Sequence, residues 1–276
     1  MVSSSLSRMG SCQMKIPKFA PLKLQNQYDQ VMIKNELLNA DIFSHSKVAT
    51  TVYQNGKSMW QPDGVFEEEE FAKVKQIHHY TVDGDGNRTL IDGEYNTFQM
   101  VNLTERDEYS RQESWEGKNT VKDGKVTNDD RLPLWIKYKH PWNYRPDLNI
   151  PYTYKTIQQL PFEYVQTVRC ILQQPPSIGV VHADSGPQTN EQYYNDGFAS
   201  VTLNIDAGQA NLWFYNRDND TEYMVDESRW DSWHFDDACS HCTTEVFSPR
   251  IQLRVFGKLE SSVNYLDLLD LDEAVW

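Results

Sequence analysis

The sequence predicts a mainly β protein with flanking helices, its C-terminal half closing as an antiparallel barrel or sandwich. Three observations predict this. From Ile178 onward, short apolar runs alternate with turn residues. Aromatics are abundant, with 15 Tyr and 8 Trp, which suit pleated surfaces and aromatic-lined pockets. At 276 residues and 39% hydrophobic content, the chain is long enough for one sizeable domain with a buried core.

Residues 1–15 are polar and Ser-rich and read as a flexible tail. Residues 16–276 form one domain, with a helical and β extension over about 16–155, a β core over about 156–258 and a C-terminal tail over 259–276. A helical pattern runs through 22–44 around Val31, Ile33, Leu37 and Leu38. The acidic run Glu67 to Glu70 favours the N-terminus of a helix over 66–76, because carboxylates offset the positive end of the helix dipole. Ile77–Val82 and Thr89–Ile91 flank Asp83-Gly84-Asp85-Gly86-Asn87, the pattern of a hairpin. With Glu94 the same run mimics a calcium loop, but Arg88 stands where such a loop needs Gly, and the flanks read as strands. Another strand is expected over 95–103, and a polar loop or insertion over 105–131. Residues 133–155 are rich in Trp, Tyr and Pro without a regular period. Pro161 opens an expected helix carrying Phe162, Val165, Val168, Ile171 and Leu172, stopped by Pro175-Pro176. Strands follow at 178–183, 198–206, 210–216, 221–226, 241–247 and 250–258, and Tyr265–Trp276 reads as a short amphipathic helix.

Charge and cysteine content exclude several classes. The chain carries 26 basic and 40 acidic residues, a net charge of −14. Binding a polyanion depends on neutralising phosphates with Lys and Arg, so no nucleic acid partner is expected. No apolar run approaches membrane-spanning length and the N-terminus lacks an apolar signal core, so no membrane association and a cytoplasmic location are expected. Four cysteines are too few for a disulfide framework. Cys239-x-x-Cys242 has no second cysteine pair with which to build a zinc site, and reads as a pair of reduced thiols.

The chemistry-bearing residues lie in the C-terminal half. In an extended run, His182 and Asp184 point to the same face. A distant second His completes a 2-His-1-carboxylate set, which covers one face of an octahedral iron(II) and leaves three positions open. His234 and His241 are both available. Arg250 presents a planar two-donor fork suited to a carboxylate, and shares strand parity with Gln252 and Arg254. Thr202 and Asn204 share one parity, opposite Val201, Leu203 and Ile205. Tyr193 and Tyr194 sit in a polar segment, 185–197, of the kind that closes over a substrate.

From about Gly179 to Gly257 this arrangement resembles the iron(II)/2-oxoglutarate-dependent dioxygenases, whose pattern is H-x-D, a long gap, a second His and then an Arg. The likeness spans under a third of the chain. It implies a double-stranded β-helix core, jelly-roll or cupin-like, with Fe(2+) on His182, Asp184 and His241. His241 is preferred to His234 because Arg250, nine residues on, then falls at the family's interval. The resemblance also implies that Arg250 anchors the far carboxylate of 2-oxoglutarate, with Thr202, Asn204 and Gln252 beside it. Gln252 stands where many members carry Ser. Tyr193, Tyr194 and Arg254 are the candidates for substrate contact. The implied reaction takes O2, 2-oxoglutarate and an unactivated C–H bond to succinate, carbon dioxide and an alcohol. Retention of the Asp184 carboxylate implies hydroxylation rather than halogenation as the first expectation, with desaturation, ring formation and demethylation left open because substrate placement decides among them. The expected substrate is a small amino-acid-like metabolite. Alternatives are a polypeptide side chain, or a cupin-like ligand-binding protein without turnover.

Overall fold

Strands with one apolar face require a second layer to cover it. The computed structural model, which describes residues 15–24, 27–45, 50–58, 79–96, 98–105, 121–122, 125–126, 143–184 and 193–276, supplies that layer twice over. The larger sheet contains β1 (Phe19–Pro21), β2 (Gln99–Asn102), β3 (Phe162–Gln173), β4 (Phe198–Ala207), β7 (Ser232–Phe235) and β9 (Arg250–Leu259). Its order is β1-β7-β4-β9-β3-β2, and every pairing is antiparallel. The smaller sheet is β6-β5-β8, from β5 (Asn211–Asn216), β6 (Thr221–Asp226) and β8 (Ser240–Thr243). Residues 177–182 extend it through the bridges Ser177–Val246 and His182–His241. The chain therefore passes back and forth: β3 in the large sheet, 177–182 beside the small one, β4 in the large, β5 and β6 in the small, β7 large, β8 small, β9 large.

Alternation along the long strands sorts their two faces. Val168, Cys170 and Leu172 of β3, Val201, Leu203 and Ile205 of β4, and Ile251, Leu253 and Val255 of β9 enter one core. That face is covered by α1 (Gln30–Asn39) through Ile33 and Leu37, and by α2 (Pro151–Gln158) through Ile157. Burying each such side chain contributes roughly 1.5–3 kcal/mol. The opposite parity of β3, β4 and β9 faces a cavity. Helix α1 begins where Asp29 accepts the Met32 N–H at 3.0 Å, so the expected 22–44 pattern contracts to one capped helix. Helix α2 places Pro151 in its first turn, where the missing N–H is harmless.

The helix expected after Pro161 is a strand. Residues 162–173 form β3, paired with β9 on one side and β2 on the other. Between Val165 and Thr167 the register slips, leaving Gln166 as an extra residue. That bulge interrupts the period-two pattern and spaces Val165 and Val168 three apart, which imitates a helix. The stretch expected at 95–103 divides between Gly93–Asn96, paired with Thr50–Gln54, and β2. The segment expected as strand 178–183 makes isolated bridges, the strand at 241–247 shortens to β8, and β7 was not expected at all. The C-terminal segment holds α3 (Tyr265–Leu268) and a 3-10 turn at Leu271–Glu273. Asp83 closes the hairpin Tyr80–Val82/Arg88–Leu90 by accepting the N–H groups of Asp85 and Asn87, each at 2.9 Å, so its carboxylate caps a turn. The expected tail to residue 14, the helix at 66–76, most of 105–131 and residues 133–142 lie outside the described residues. Among those described, no helix is long and apolar enough to cross a membrane.

Candidate metal centre and its pocket

His182 and His241 meet because their backbones pair. His182 N–H donates to His241 O at 2.9 Å and His241 N–H donates to His182 O at 2.7 Å. Gly179 allows this approach, since a Cβ there would lie 2.3 Å from Thr243 N. The rings stand 4.4 Å apart between centroids. Each ring is tethered in the same way. His182 Nδ1 lies 2.6 Å from Val180 O and His241 Nδ1 lies 2.9 Å from Cys239 O. A carbonyl only accepts, so each Nδ1 carries a proton, and when a ring is neutral its Nε2 holds the lone pair, turned away from the tether.

Both Nε2 atoms face Asp184, at 3.2 Å for His182 and 3.9 Å for His241. One donor atom from each of the three residues lies within 4.8 Å of the others. The two histidines feel opposite fields. The hydrogen bond to Asp184 pulls the His182 pKa up, whereas burial pushes His241 down to about 4. Burial works to raise Asp184, but His182, Arg254 and His241 outweigh it and hold the carboxyl well below the usual range. Two imidazole lone pairs and a carboxylate converging on one point, with no proton of their own to share when both rings are neutral, fit a divalent cation of the first transition row.

Arg254 positions the carboxylate. Its Nη1 donates to Asp184 Oδ2 and its Nη2 to Asp237 Oδ2, both at 3.2 Å. Phe235 sets its edge against the His241 ring at 4.9 Å between centroids. His234, the other candidate for second histidine, points into the core below the sheet. Its Nε2 bonds Pro17 O at 2.9 Å and its Nδ1 lies 2.7 Å from the Tyr265 hydroxyl.

The triad opens onto a cavity of about 840 Å³ between the two sheets. Thr202, Gln252, Arg250 and Arg254 line it as the strand parity predicts. Arg250, however, already grips a carboxylate of the chain itself. Its Nε and Nη2 donate to the two oxygens of Glu227 at 2.7 and 2.6 Å, and its Nη1 donates to Gln173 Oε1 at 2.6 Å. Gln252 Nε2 adds a 3.1 Å bond to the same Glu227. Asn204 stays out of the cavity wall, and its amide donates to the carbonyls of Glu227 and Trp230 at 2.9 and 3.1 Å, bracing the turn that carries Glu227. Tyr193 and Tyr194 are not exposed loop aromatics. They are buried, Tyr193 bonding Ala199 O at 3.0 Å and Tyr194 stacking on Tyr265 at 5.1 Å, while both still touch the cavity.

Burial raises Cys239 and Cys242 to about 12, and neither sulfur joins the triad, which is the metal-competent cluster found among the described residues. Glu227, Asp237, Gln173 and Arg169 line the cavity too, outside the residues expected there. Asp237 carried a signal, as an acid in the turn before His241. Arg169 and Gln173 were hidden by the helix assignment of β3.

No known sequence family matches the chain, and no curated protein matches it. Three solved structures to which it is similar can be named. A Pseudomonas putida prolyl-4-hydroxylase has a TM-score of 0.29 and 12% identity, over 60% of this chain and 73% of that one. An oxidoreductase of the 2OG-Fe(II) oxygenase family from Burkholderia pseudomallei has a TM-score of 0.29 and 10% identity, over 84% and 92%. The non-heme alpha ketoglutarate dependent epimerase SnoN from nogalamycin biosynthesis has a TM-score of 0.34 and 10% identity, over 92% and 86%. Likenesses this distant say nothing of this chain's chemistry.

Proposed function

We propose that the protein is an iron(II)- and 2-oxoglutarate-dependent dioxygenase on a double-stranded β-helix, hydroxylating an unactivated C–H bond of a small amino-acid-like metabolite. The observation that carries this reading is the triad. Two histidines tethered through Nδ1 turn Nε2 toward one carboxylate, with their donor atoms within 4.8 Å, at the wall of a cavity of about 840 Å³. The strand order supports the core assignment, since successive strands alternate between two facing antiparallel sheets.

In this reading His182, Asp184 and His241 hold the iron. When bound, the iron supplies activation of O2, with 2-oxoglutarate as the source of the second pair of electrons. The balance is one 2-oxoglutarate, one O2 and one C–H in; succinate, carbon dioxide and one alcohol out. The chain's own work is positioning. Val180 and Cys239 carbonyls fix the two rings, and Arg254 fixes Asp184. Arg250 takes the far carboxylate of 2-oxoglutarate by exchanging it for Glu227, with Thr202 beside it. The buried free cysteines Cys170, Cys239 and Cys242 suit a reducing, cytoplasmic setting, which also keeps iron ferrous.

The test is succinate formation from 2-oxoglutarate with iron(II) and ascorbate, run with a metabolite pool and a peptide pool and read by a mass gain of one oxygen. Succinate with an oxygenated metabolite supports the proposal, and oxygenated peptides alone would move the substrate to a polypeptide. One observation favours a rival. The Arg250 fork is closed by Glu227, so no cosubstrate anchor stands open, which favours a cupin-like protein that binds a ligand without turnover. Iron binding without succinate would select that rival.

A further inference from the structure

Three arginines line the cavity, and two are answered by carboxylates. Arg250 holds Glu227, and Arg254 holds Asp184 and Asp237. The side chain of the third, Arg169, makes no hydrogen bond or ion pair among the described residues. It rests instead on the Phe256 ring, its Cζ 5.4 Å from the centroid, with Arg254 Cζ on the same ring at 5.5 Å. The β3–β9 register sets Arg169 directly opposite Arg254. Like charges in that position repel. Burial, and then Arg254, push the Arg169 pKa below its ordinary value, against the pull of Asp184 and Asp237. Both carboxylates bond Arg254 instead, so the half-buried Arg169 guanidinium keeps its donors for a ligand.

A neighbouring atom lacks a partner in the same way. Thr167 lies two residues before Arg169 on the same face of β3, lines the cavity, and buries an Oγ1 that has no hydrogen-bond partner among the described residues. The bulge at Gln166 sits beside it, and Gln166 and Thr167 both line the cavity. On the other side of Arg169 the wall turns apolar: Ile171 follows on the same face, opposite Met100 of β2, with Phe98 nearby.

We propose that Arg169 and Thr167 form an anion subsite for the substrate, which carries a carboxylate on a short apolar body. The guanidinium offers two parallel N–H donors to the carboxylate and the Thr167 hydroxyl offers a third, while the body lies on Ile171, Met100 and Phe98. In a chain of net charge −14 an anion needs such a local cation to be held. The cavity's size fits a free small molecule. This inference names the substrate class of the site proposed above, and rests on that reading only in calling the ligand a substrate.

The test titrates the full chain, without added iron, by calorimetry with hexanoate and with hexanamide, its neutral counterpart. Hexanoate is expected to bind the wild type and hexanamide to bind more weakly. Arg169→Met is expected to lose about ten- to a hundredfold in hexanoate affinity, with Arg169→Lys between the two. Thr167→Val is expected to lose about two- to tenfold. Arg169→Met should melt no lower than the wild type, because it removes a like-charge contact. Equal binding of hexanamide, no binding of hexanoate, or undiminished binding by Arg169→Met would overturn the proposal. So would tighter binding of an end-blocked Ala-Ala-Glu-Leu-Ala peptide than of hexanoate, which would put the carboxylate on a polypeptide. Loss of 2-oxoglutarate affinity in iron-loaded Arg169→Met would make Arg169 a cosubstrate anchor and overturn it as well. Hexanoate binding through Arg169 in a protein that forms no succinate would uphold the subsite and sink only the oxygenase reading.

Discussion

Removing Glu227 should weaken the fold and sharpen the site at once. Glu227 receives Arg250 Nε at 2.7 Å, Arg250 Nη2 at 2.6 Å and Gln252 Nε2 at 3.1 Å. Its side chain is 1% exposed and that of Arg250 is 7% exposed, so solvent screens this pair little. Deleting one partner of a buried ion pair costs about 3–5 kcal/mol, because the other charge is left uncompensated. At about 2–4 °C per kcal/mol for a domain of this size, Glu227→Ala should melt roughly 6–20 °C lower. The gap it leaves is carboxylate-shaped and sits against a free guanidinium fork. If Arg250 is the 2-oxoglutarate anchor, the cosubstrate should refill that gap. At a hundred times its Kd it would return about 2.7 kcal/mol. It would also bind more tightly than to the wild type, by about ten- to a hundredfold, since no internal carboxylate competes for the charged hydrogen bonds. The assay is anaerobic thermal melting of the iron-loaded protein with and without 2-oxoglutarate. Glu227→Ala/Arg250→Met is the control, with the charge removed from both sides. The double variant should recover stability relative to Glu227→Ala and show no anchor-dependent gain from ligand. Equal ligand stabilisation of single and double variants, or none in Glu227→Ala, would refute Arg250 as the anchor.

Other consequences concern the frame of the site. Gly179→Ala should lower metal affinity without touching a ligand, because its Cβ would press on the Thr243 backbone and part His182 from His241; metal titration against an unchanged far-ultraviolet circular dichroism spectrum checks this. His234 is buried and neutral, with its pKa lowered from 6.5 to about 4, chiefly by burial. The unfolded chain therefore binds a proton more readily than the folded one between those values. The contribution of His234 to stability should fall as pH drops from 6.5 to about 4, by roughly 3 kcal/mol, and level off below. Denaturation midpoints of wild type and His234→Phe across that range should converge at low pH as the variant loses this slope. Cys239 and Cys242, raised to about 12 by burial, should react with a thiol reagent only as fast as the protein opens, which a comparison with the fully unfolded chain measures.

The legible part of the sequence was that governed by local rules. His182 and Asp184 stand two apart in an extended segment, and the structure brings His241 to them. The inward parity of Thr202, Gln252 and Arg254 on regular strands also came through. Local rules failed at β3, where Gln166 shifts the register and the inner face mixes Thr167, Arg169, Ile171 and Gln173. A strand whose second face lines a mixed polar and apolar cavity has no clean alternation, and the bulge left a helix-like spacing of its apolar residues. Pro161 has the sequence pattern of a helix start, whereas the helix lies ten residues earlier and starts at Pro151. Glu227 was beyond reach, because an acid in a Ser- and Arg-containing turn reads as solvated until the fold presses Arg250 against it. That contact depends on the long return from β6 through the turn to β9, which no local pattern encodes.

The central claim is that His182, Asp184 and His241 hold iron(II) so that 2-oxoglutarate can join it there. The most direct test is the visible charge-transfer absorption that appears when 2-oxoglutarate is added anaerobically to the iron(II)-loaded chain. The band should form in the wild type and in His234→Phe, and be lost in His182→Ala and in His241→Ala while each variant stays folded. A band that survives His241→Ala and vanishes in His234→Phe, or that never forms in an iron-loaded wild type, would contradict the claim.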